Sequence, residues 1–240
     1  MEPADFVTRA RQREIGPDPA VEPADFVTRA RQREIVRRGY DAISLAYRSD
    51  DGQPGQHGQS SGEDPSRYAG WVAELAALLP PRARVADLGC GAGIPATREL
   101  TEHGLKVLGV DFSAVQLRRA RRLASAASLA QTDMAVLQLR PDSLDAVISL
   151  YALIHLPLAD QQALFPRIRD WLRPGGYFLA IVGAGRWTGT EGYCGADMFW
   201  DHADVGTYLR WFEATRLEPV WHRYIPEGSS GHTLVLARAR

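Results

Sequence analysis

The chain has 240 residues, 45% hydrophobic and 24% charged, with a formal net charge of −1 at pH 7. That length is enough to bury the core of one α/β domain, and the balanced charge excludes the basic excess that bulk nucleic-acid or polyanion binding requires. Cys90 and Cys194 have no paired spacing and give neither a disulfide framework nor a metal site. No apolar run is long enough for a bilayer and no secretory n- and h-region opens the chain, so a cytoplasmic protein is expected.

In chain order, the first feature is a repeat: EPADFVTRARQREI stands at 2–15 and again, unchanged, at 22–35. Solenoid units drift apart, number three or more and tile a chain. This pair does neither, so it reads as a cloning scar or a very recent duplication, and residues 1–21 as non-essential. Only the second copy runs into a continuous pattern, where Phe26, Val27, Ala30, Tyr40, Ile43 and Tyr47 recur at helical spacing. Residues 49–65, rich in Gly, Gln, Ser and Asp, read as a flexible loop. Residues 22–65 are therefore expected to form a helical lid with its loop, and 66–240 the main domain. SRYAGWVAELAALLP is a helix stopped by Pro80 and Pro81.

An alternation follows. ARVADLG predicts a buried strand, IPATRELTEHG a helix ending at Gly104, KVLGVD a second strand, and SAVQLRRARRLA a helix capped by Ser113. The run Arg118, Arg119, Arg121 and Arg122 reads as the solvated face of that helix. SLAQTD is a weaker strand and LDAVISL a strong one; ALFPRIRDWL is a helix with Pro166 in its first turn, and GGYFLAIVG another strand. After residue 200 come a helix at 204–215 and two strands near 217–225 and 232–238, joined as an antiparallel hairpin. The expected architecture is a Rossmann-like, doubly wound, mostly parallel sheet with helices on both faces and a C-terminal antiparallel hairpin.

In such sheets ligands bind at the carboxyl ends of the strands. The first strand ends in VADLGCGAG, where glycines let the backbone approach a ligand and the next helix, with Pro95 in its first turn, offers its N-terminus to an anion. Residues 91–96, GAGIPA, also satisfy the dinucleotide pattern, which keeps a nicotinamide-dependent oxidoreductase as an alternative. The second strand ends in GVDFS. Its Asp111 suits two ribose hydroxyls, or else caps the helix beginning at Ser113.

VADLGCGAG, GVDFS, AQTDM, LDAVISLYALIHLP and LRPGGYFLA stand in the order and approximate spacing of the class I S-adenosylmethionine-dependent methyltransferases. Roughly residues 36 to 240 resemble that superfamily, in its small-molecule branch. The closing pattern, MFWDHADVGTYLRWF with PEGSSGHTLVLAR, looks like small methyltransferases of actinobacterial type. The resemblance implies S-adenosyl-L-methionine as cofactor. Asp87 with Gly89, Cys90, Gly91 and Gly93 would hold its methionine part; Asp111 the ribose; Phe112, Asp133 and Met134 the adenine; Leu150 the sulfonium. Tyr40 and Tyr47, in YDAISLAY, would cover the cofactor. A protein of this fold that binds the cofactor without methyl transfer is a further alternative.

Methyl transfer from a sulfonium needs chiefly alignment, and a general base only when the acceptor must lose a proton. Candidates for acceptor chemistry are Tyr151 and His155, beyond the fourth strand, and His202; His155 serves equally as a structural hydrogen-bonding group. Tyr208, Trp211 and Phe212 lie at i, i+3 and i+4 and read as the buried face of a helix, with Asp201 or Asp204 as its N-cap. Trp187, Tyr193, Met198, Phe199 and Trp200 fall outside that face and form a candidate wall for a small aromatic or apolar acceptor. The expected partners are that acceptor and, at most, a second copy of the chain, with no nucleic acid and no membrane.

Overall fold

Alternating strands and helices can bury both faces of a parallel sheet only by right-handed crossovers, and the chain folds that way. The computed structural model describes residues 23–51, 65–228 and 230–240; the first copy of the repeat and most of the 49–65 loop lie outside them. The elements are α1 (Pro23–Tyr47), α2 (Pro65–Ala76), β1 (Arg84–Leu88), α3 (Ala96–Glu102), β2 (Lys106–Asp111), α4 (Ala114–Leu123), β3 (Ser128–Gln131) and β4 (Leu144–Ser149). After a 3-10 turn at Leu153–His155 come α5 (Leu158–Trp171), β5 (Leu172–Gly183), β6 (Trp187–Tyr193), β7 (Ala196–His202), α6 (Val205–Ala214), β8 (Leu217–Glu227) and β9 (Ser230–Ala239).

Seven strands form one sheet in the order β3-β2-β1-β4-β5-β9-β8, parallel from β3 to β5, with β9 antiparallel to both its neighbours. Alternate residues serve opposite layers. Val85, Val107, Ile148 and Ile181 meet Trp71, Val72 and Leu75 of α2 and Leu100 of α3. Leu88, Val110, Val147 and Phe178 meet Phe165 and Trp171 of α5 and Tyr208 and Phe212 of α6. The Phe165 ring lies 4.9 Å from that of Phe212 and 5.8 Å from that of Phe178, so the spacing of Tyr208 and Phe212 does mark a core face.

Three local expectations are corrected and one alternative is decided. Pro166 is not in a first turn but inside α5, which starts at Leu158; Asp160, Gln161, Leu164, Phe165, Ile168 and Trp171 are buried at helical spacing straight through it. Burial on the sheet outweighs the missing N–H. Arg119 is not solvated: it is 6% exposed, unlike Arg118, Arg121 and Arg122 around it, because α1 crosses α4 there. Val27, expected on the buried stripe of α1, is 53% exposed. Asp204 caps α6 by accepting from the Thr207 amide, whereas Asp201 accepts from the Leu158 amide at the start of α5.

β6 and β7, which periodicity does not announce, make a separate two-stranded antiparallel sheet. Cys194 and Gly195 turn it with φ of 52° and 94°, the paired positive values of a tight hairpin. Against β7 lies α1, close enough that a Cβ on Gly39 would stand 2.8 Å from the Asp197 carbonyl oxygen. Val36 and Ile43 pack there on Met198 and Phe199.

Because Pro166 is interior, Pro166→Ala should raise stability by about 1–2 kcal/mol, the helix gain less the entropy lost from a stiffer unfolded chain. Urea unfolding checks this; an unchanged midpoint would mean that α5 carries no cost at that position.

Candidate active site

Strand order reverses between β1 and β4, and the crevice that opens at such a point is where the cavity lies. It lies between the carboxyl ends of β1, β2 and β4 and the underside of α1, with about 990 Å³ of empty space counted out to open solvent. Of the residues expected around a cofactor, Tyr40, Tyr47, Asp87, Gly89, Cys90, Gly91, Asp111, Phe112, Asp133, Met134 and Leu150 all line it. Gly93 does not; it packs on Ala120 of α4 and Ala124 just beyond that helix.

The turn after β1 has φ of 77° at Gly89, where a Cβ would collide with that of Ala152. At Gly91 nothing stands within 4 Å of the missing Cβ, so the backbone is open there. Asp111 ties this turn to the next helix: Oδ2 accepts from the Gly91 amide at 2.9 Å and Oδ1 from the Ser113 amide at 2.8 Å. The ribose and capping readings of Asp111 are therefore compatible, because an ionised carboxylate has about four lone-pair sites. Burial raises its pKa to about 6 against those two amides. Asp87 accepts from Thr97 Oγ1 at 2.6 Å, and burial, reinforced by the charge of Asp111, raises it to about 7. The Cys90 thiol, packed on Leu117 and Ala120, is pushed well up by burial.

Polar contacts hold the roof. Arg29 and Arg33 of α1 both reach Asp160 of α5, and Arg33 Nε lies 2.8 Å from Asp133 Oδ2. Ser113 Oγ donates to Asp41, and Ser44 Oγ to Gln116. Arg119 donates to the Ser44 carbonyl at 2.6 Å, the Arg48 carbonyl at 2.7 Å and Asp50 at 2.7 Å. A cation thus sits on the carbonyl end of α1.

Tyr47, Arg48, Tyr68, Tyr151 and His155 also line the cavity. His155 Nδ1 donates to the Phe199 carbonyl at 2.8 Å, which leaves Nε2 to accept from the Tyr40 hydroxyl at 2.9 Å. Burial lowers its pKa to about 4, so it is neutral and holds Tyr40. Trp200 and Tyr193 stand one layer back, against His155 and Tyr47. Met198 and Phe199 lie between α1 and the hairpin, and Trp187 is 45% exposed. His202, the last residue of β7, donates to the Gly185 carbonyl and lies 5.7 Å from the His232 ring. Sequence reasoning missed Arg48 and Tyr68; Tyr68 carries only the ordinary signal of a buried helix face.

Residues 85–176 match the family model described as a methyltransferase domain. The chain is 31% identical over 152 residues to a 27-O-demethylrifamycin SV methyltransferase of Amycolatopsis mediterranei, covering 59% of this chain and 55% of that protein. It spans between 29% and 55% of the length of the curated relatives it matches. Among solved structures it is similar to magnesium protoporphyrin IX methyltransferase of Synechocystis (TM-score 0.68, 18% identity, covering 87% of this chain and 100% of that one). It is also similar to the [4+2]-cyclase SpnF (TM-score 0.66, 18% identity, 87% and 96%). At those identities the shared feature is the fold.

The state of His155 has a measurable sign. Folding holds it neutral where the unfolded chain, with an ordinary value of 6.5, takes a proton. Its contribution to stability is therefore full above that value and is lost as pH falls toward about 4. In an NMR titration the His155 ring should stay the neutral Nδ1–H tautomer down to pH of about 5, and a midpoint at its ordinary value would contradict the burial and both hydrogen bonds.

Proposed function

We propose that the chain is a class I S-adenosylmethionine-dependent methyltransferase that moves a methyl group onto an O, N or C atom of a small aromatic or apolar acceptor. The observation that carries the reading is the pairing of Gly91 and Asp111 at the strand-order reversal. The residues fit S-adenosyl-L-methionine. With its two amide partners, Asp111 keeps one lone-pair site on each oxygen for two ribose hydroxyls, and the open backbone at Gly91 admits the methionine part beside Gly89 and Asp87. Phe112 and Met134 offer apolar faces for the adenine, Asp133 an acceptor for its amino group, and Leu150 contact with the sulfonium. Tyr40 and Tyr47 cover the site from α1 and exclude water from it.

When bound, the cofactor supplies a methyl group already activated on sulfonium. The chain's own task is orientation, which contributes about 7–11 kcal/mol in well-aligned reactions. Tyr47, Tyr68 and Tyr151 present faces to a planar acceptor, with Tyr193 and Trp200 supporting them from behind. The proposal includes action in the cytoplasm as a monomer or homodimer, with residues 1–21 expendable. Among the described residues no helix is long and apolar enough to cross a membrane. Its rivals are a nicotinamide enzyme, suggested by GAGIPA, and a cofactor-binding protein with other chemistry, suggested by the cyclase neighbour. Calorimetry with S-adenosylhomocysteine and NAD separates the first, and S-adenosylhomocysteine release across an acceptor panel separates the second.

Asp111→Ala should weaken S-adenosylhomocysteine binding at least about tenfold in a folded protein, since each bond to the carboxylate is worth roughly 1.5–3 kcal/mol. Wild-type affinity should fall as pH drops through about 6, where Asp111 takes up a proton and loses its charge. A flat pH profile with unchanged affinity in the variant removes Asp111 from the site. Deleting residues 2–21 should leave affinity and melting temperature unchanged; a large drop in either would give the first copy a structural part.

A further inference from the structure

We infer, resting on the methyl-transfer reading above, that Gln116 is a further cofactor-binding residue, whose side-chain amide donates to a ribose hydroxyl oxygen, and that Ser44 and Arg119 position it. Gln116 stands in the first turn of α4, 3% exposed, and lines the cavity. Above it, Arg119 Nη1 donates to Ser44 Oγ at 2.9 Å, and Ser44 Oγ donates to Gln116 Oε1 at 2.8 Å. A guanidinium has no lone pair to offer, so the relay runs one way. The Ser44 hydroxyl accepts from Arg119 and has its own proton for Gln116. The carboxamide thus turns its oxygen to the roof.

Its nitrogen is left over. Among the described residues that nitrogen meets no acceptor, which is uncommon for a donor on so buried a side chain. Nor is it sealed in protein: among the described residues, the fully buried side-chain atoms without a partner are the Nε atoms of Arg29, Arg84 and Arg169. The open space that Gln116 touches is the cavity, so its two N–H donors are offered to what fills it.

The neighbours of Gln116 choose the part of the ligand. Ser113 joins it to Asp111: the Ser113 amide donates to Asp111 Oδ1 at 2.8 Å, and Ser113 Oγ accepts from the Gln116 backbone amide at 3.0 Å. A group bound to Asp111 is therefore within reach of the first turn of α4. Ribose hydroxyls that give their protons to a carboxylate keep lone pairs on oxygen, and a carboxamide N–H2 is the complementary donor. Its neutrality suits the place. Asp41 and Asp87 already stand close enough to Asp111 for their charges to disfavour one another, and an amide adds a donor without adding to that charge. Gln116 is the residue in contact with the cofactor; Ser44 and Arg119 act through it.

Calorimetry with S-adenosylhomocysteine, and with the two analogues that each lack one ribose hydroxyl, reads this contact without turnover. Gln116→Met, which keeps the length and loses both donors, should weaken S-adenosylhomocysteine binding about fivefold. One of the two analogues should bind the variant as tightly as it binds the wild type, because its missing oxygen is the one that Gln116 holds. That equal binding also reports a folded cavity. Gln116→Leu, different in shape and equally without donors, should give the same pattern. Ser44→Ala frees the carboxamide to turn, so it should weaken S-adenosylhomocysteine about twofold or more and spare the same analogue. Unchanged S-adenosylhomocysteine affinity in both Gln116 variants, or an equal loss for all three ligands in both, overturns the ribose contact. A Ser44→Ala protein that binds all three as the wild type does overturns the positioning role. A wild-type protein that binds none of the three would fail the methyl-transfer reading instead.

Discussion

Arg119 is the contact on which the upper half of the molecule depends. Its guanidinium occupies the carbonyl end of α1 and Asp50 just beyond, and it reaches them from α4, whose first residues follow Asp111 directly. Among the described side chains of α1, Val36 and Ile43 are the fully buried apolar anchors, and polar contacts stand beside them. Hydrogen bonds and ion pairs to α4, α5 and the segment after β3 supply the rest. Such contacts are directional, which makes the roof specific in position. Tyr40 and Tyr47 inherit that position, and the cavity inherits its shape from them.

The cavity beneath is acidic on one side and cationic on the other. Asp87 and Asp111 are buried close enough for each to disfavour the charge of the other, a cost that a cationic ligand would relieve. Arg48 lines the same cavity. Under the proposed function the carboxylates suit a sulfonium compound. His155, uncharged between the two, adds no field of its own and holds Tyr40 by geometry.

Much of the fold was legible because buried parallel strands are contiguous apolar runs and their ends carry contiguous motifs. VADLG and GVD are each both a strand and half of a binding site, and Asp87 and Asp111 could be read from them. What was illegible depends on contacts between distant segments. Nothing local distinguishes Arg119 from Arg118; the crossing of α1 buries one and leaves the other in water. The hairpin of β6 and β7 has no alternation to detect, because β6 is largely exposed and β7 buries the adjacent Met198 and Phe199 against α1. Pro166 misled because its local cost is visible in sequence while the compensating burial of Phe165 and Ile168 is not. Tyr68, Tyr151 and Glu227 come together from α2, the end of β4 and the end of β8, an assembly that no spacing along the chain announces.

The docking of α1 also fixes an order of assembly. Arg29 bonds to Asp160 across 131 positions and Tyr40 to His155 across 115, and the apolar seat of the helix is Met198 and Phe199. On a ribosome, α1 is made long before any of these partners exists, and closing so long a loop costs entropy before any contact rewards it. The sheet can form first from neighbouring strands, whose crossovers are short. The earliest of the described elements to be synthesised therefore waits for its seat, and until β7 has emerged the nascent chain carries an open crevice with no roof.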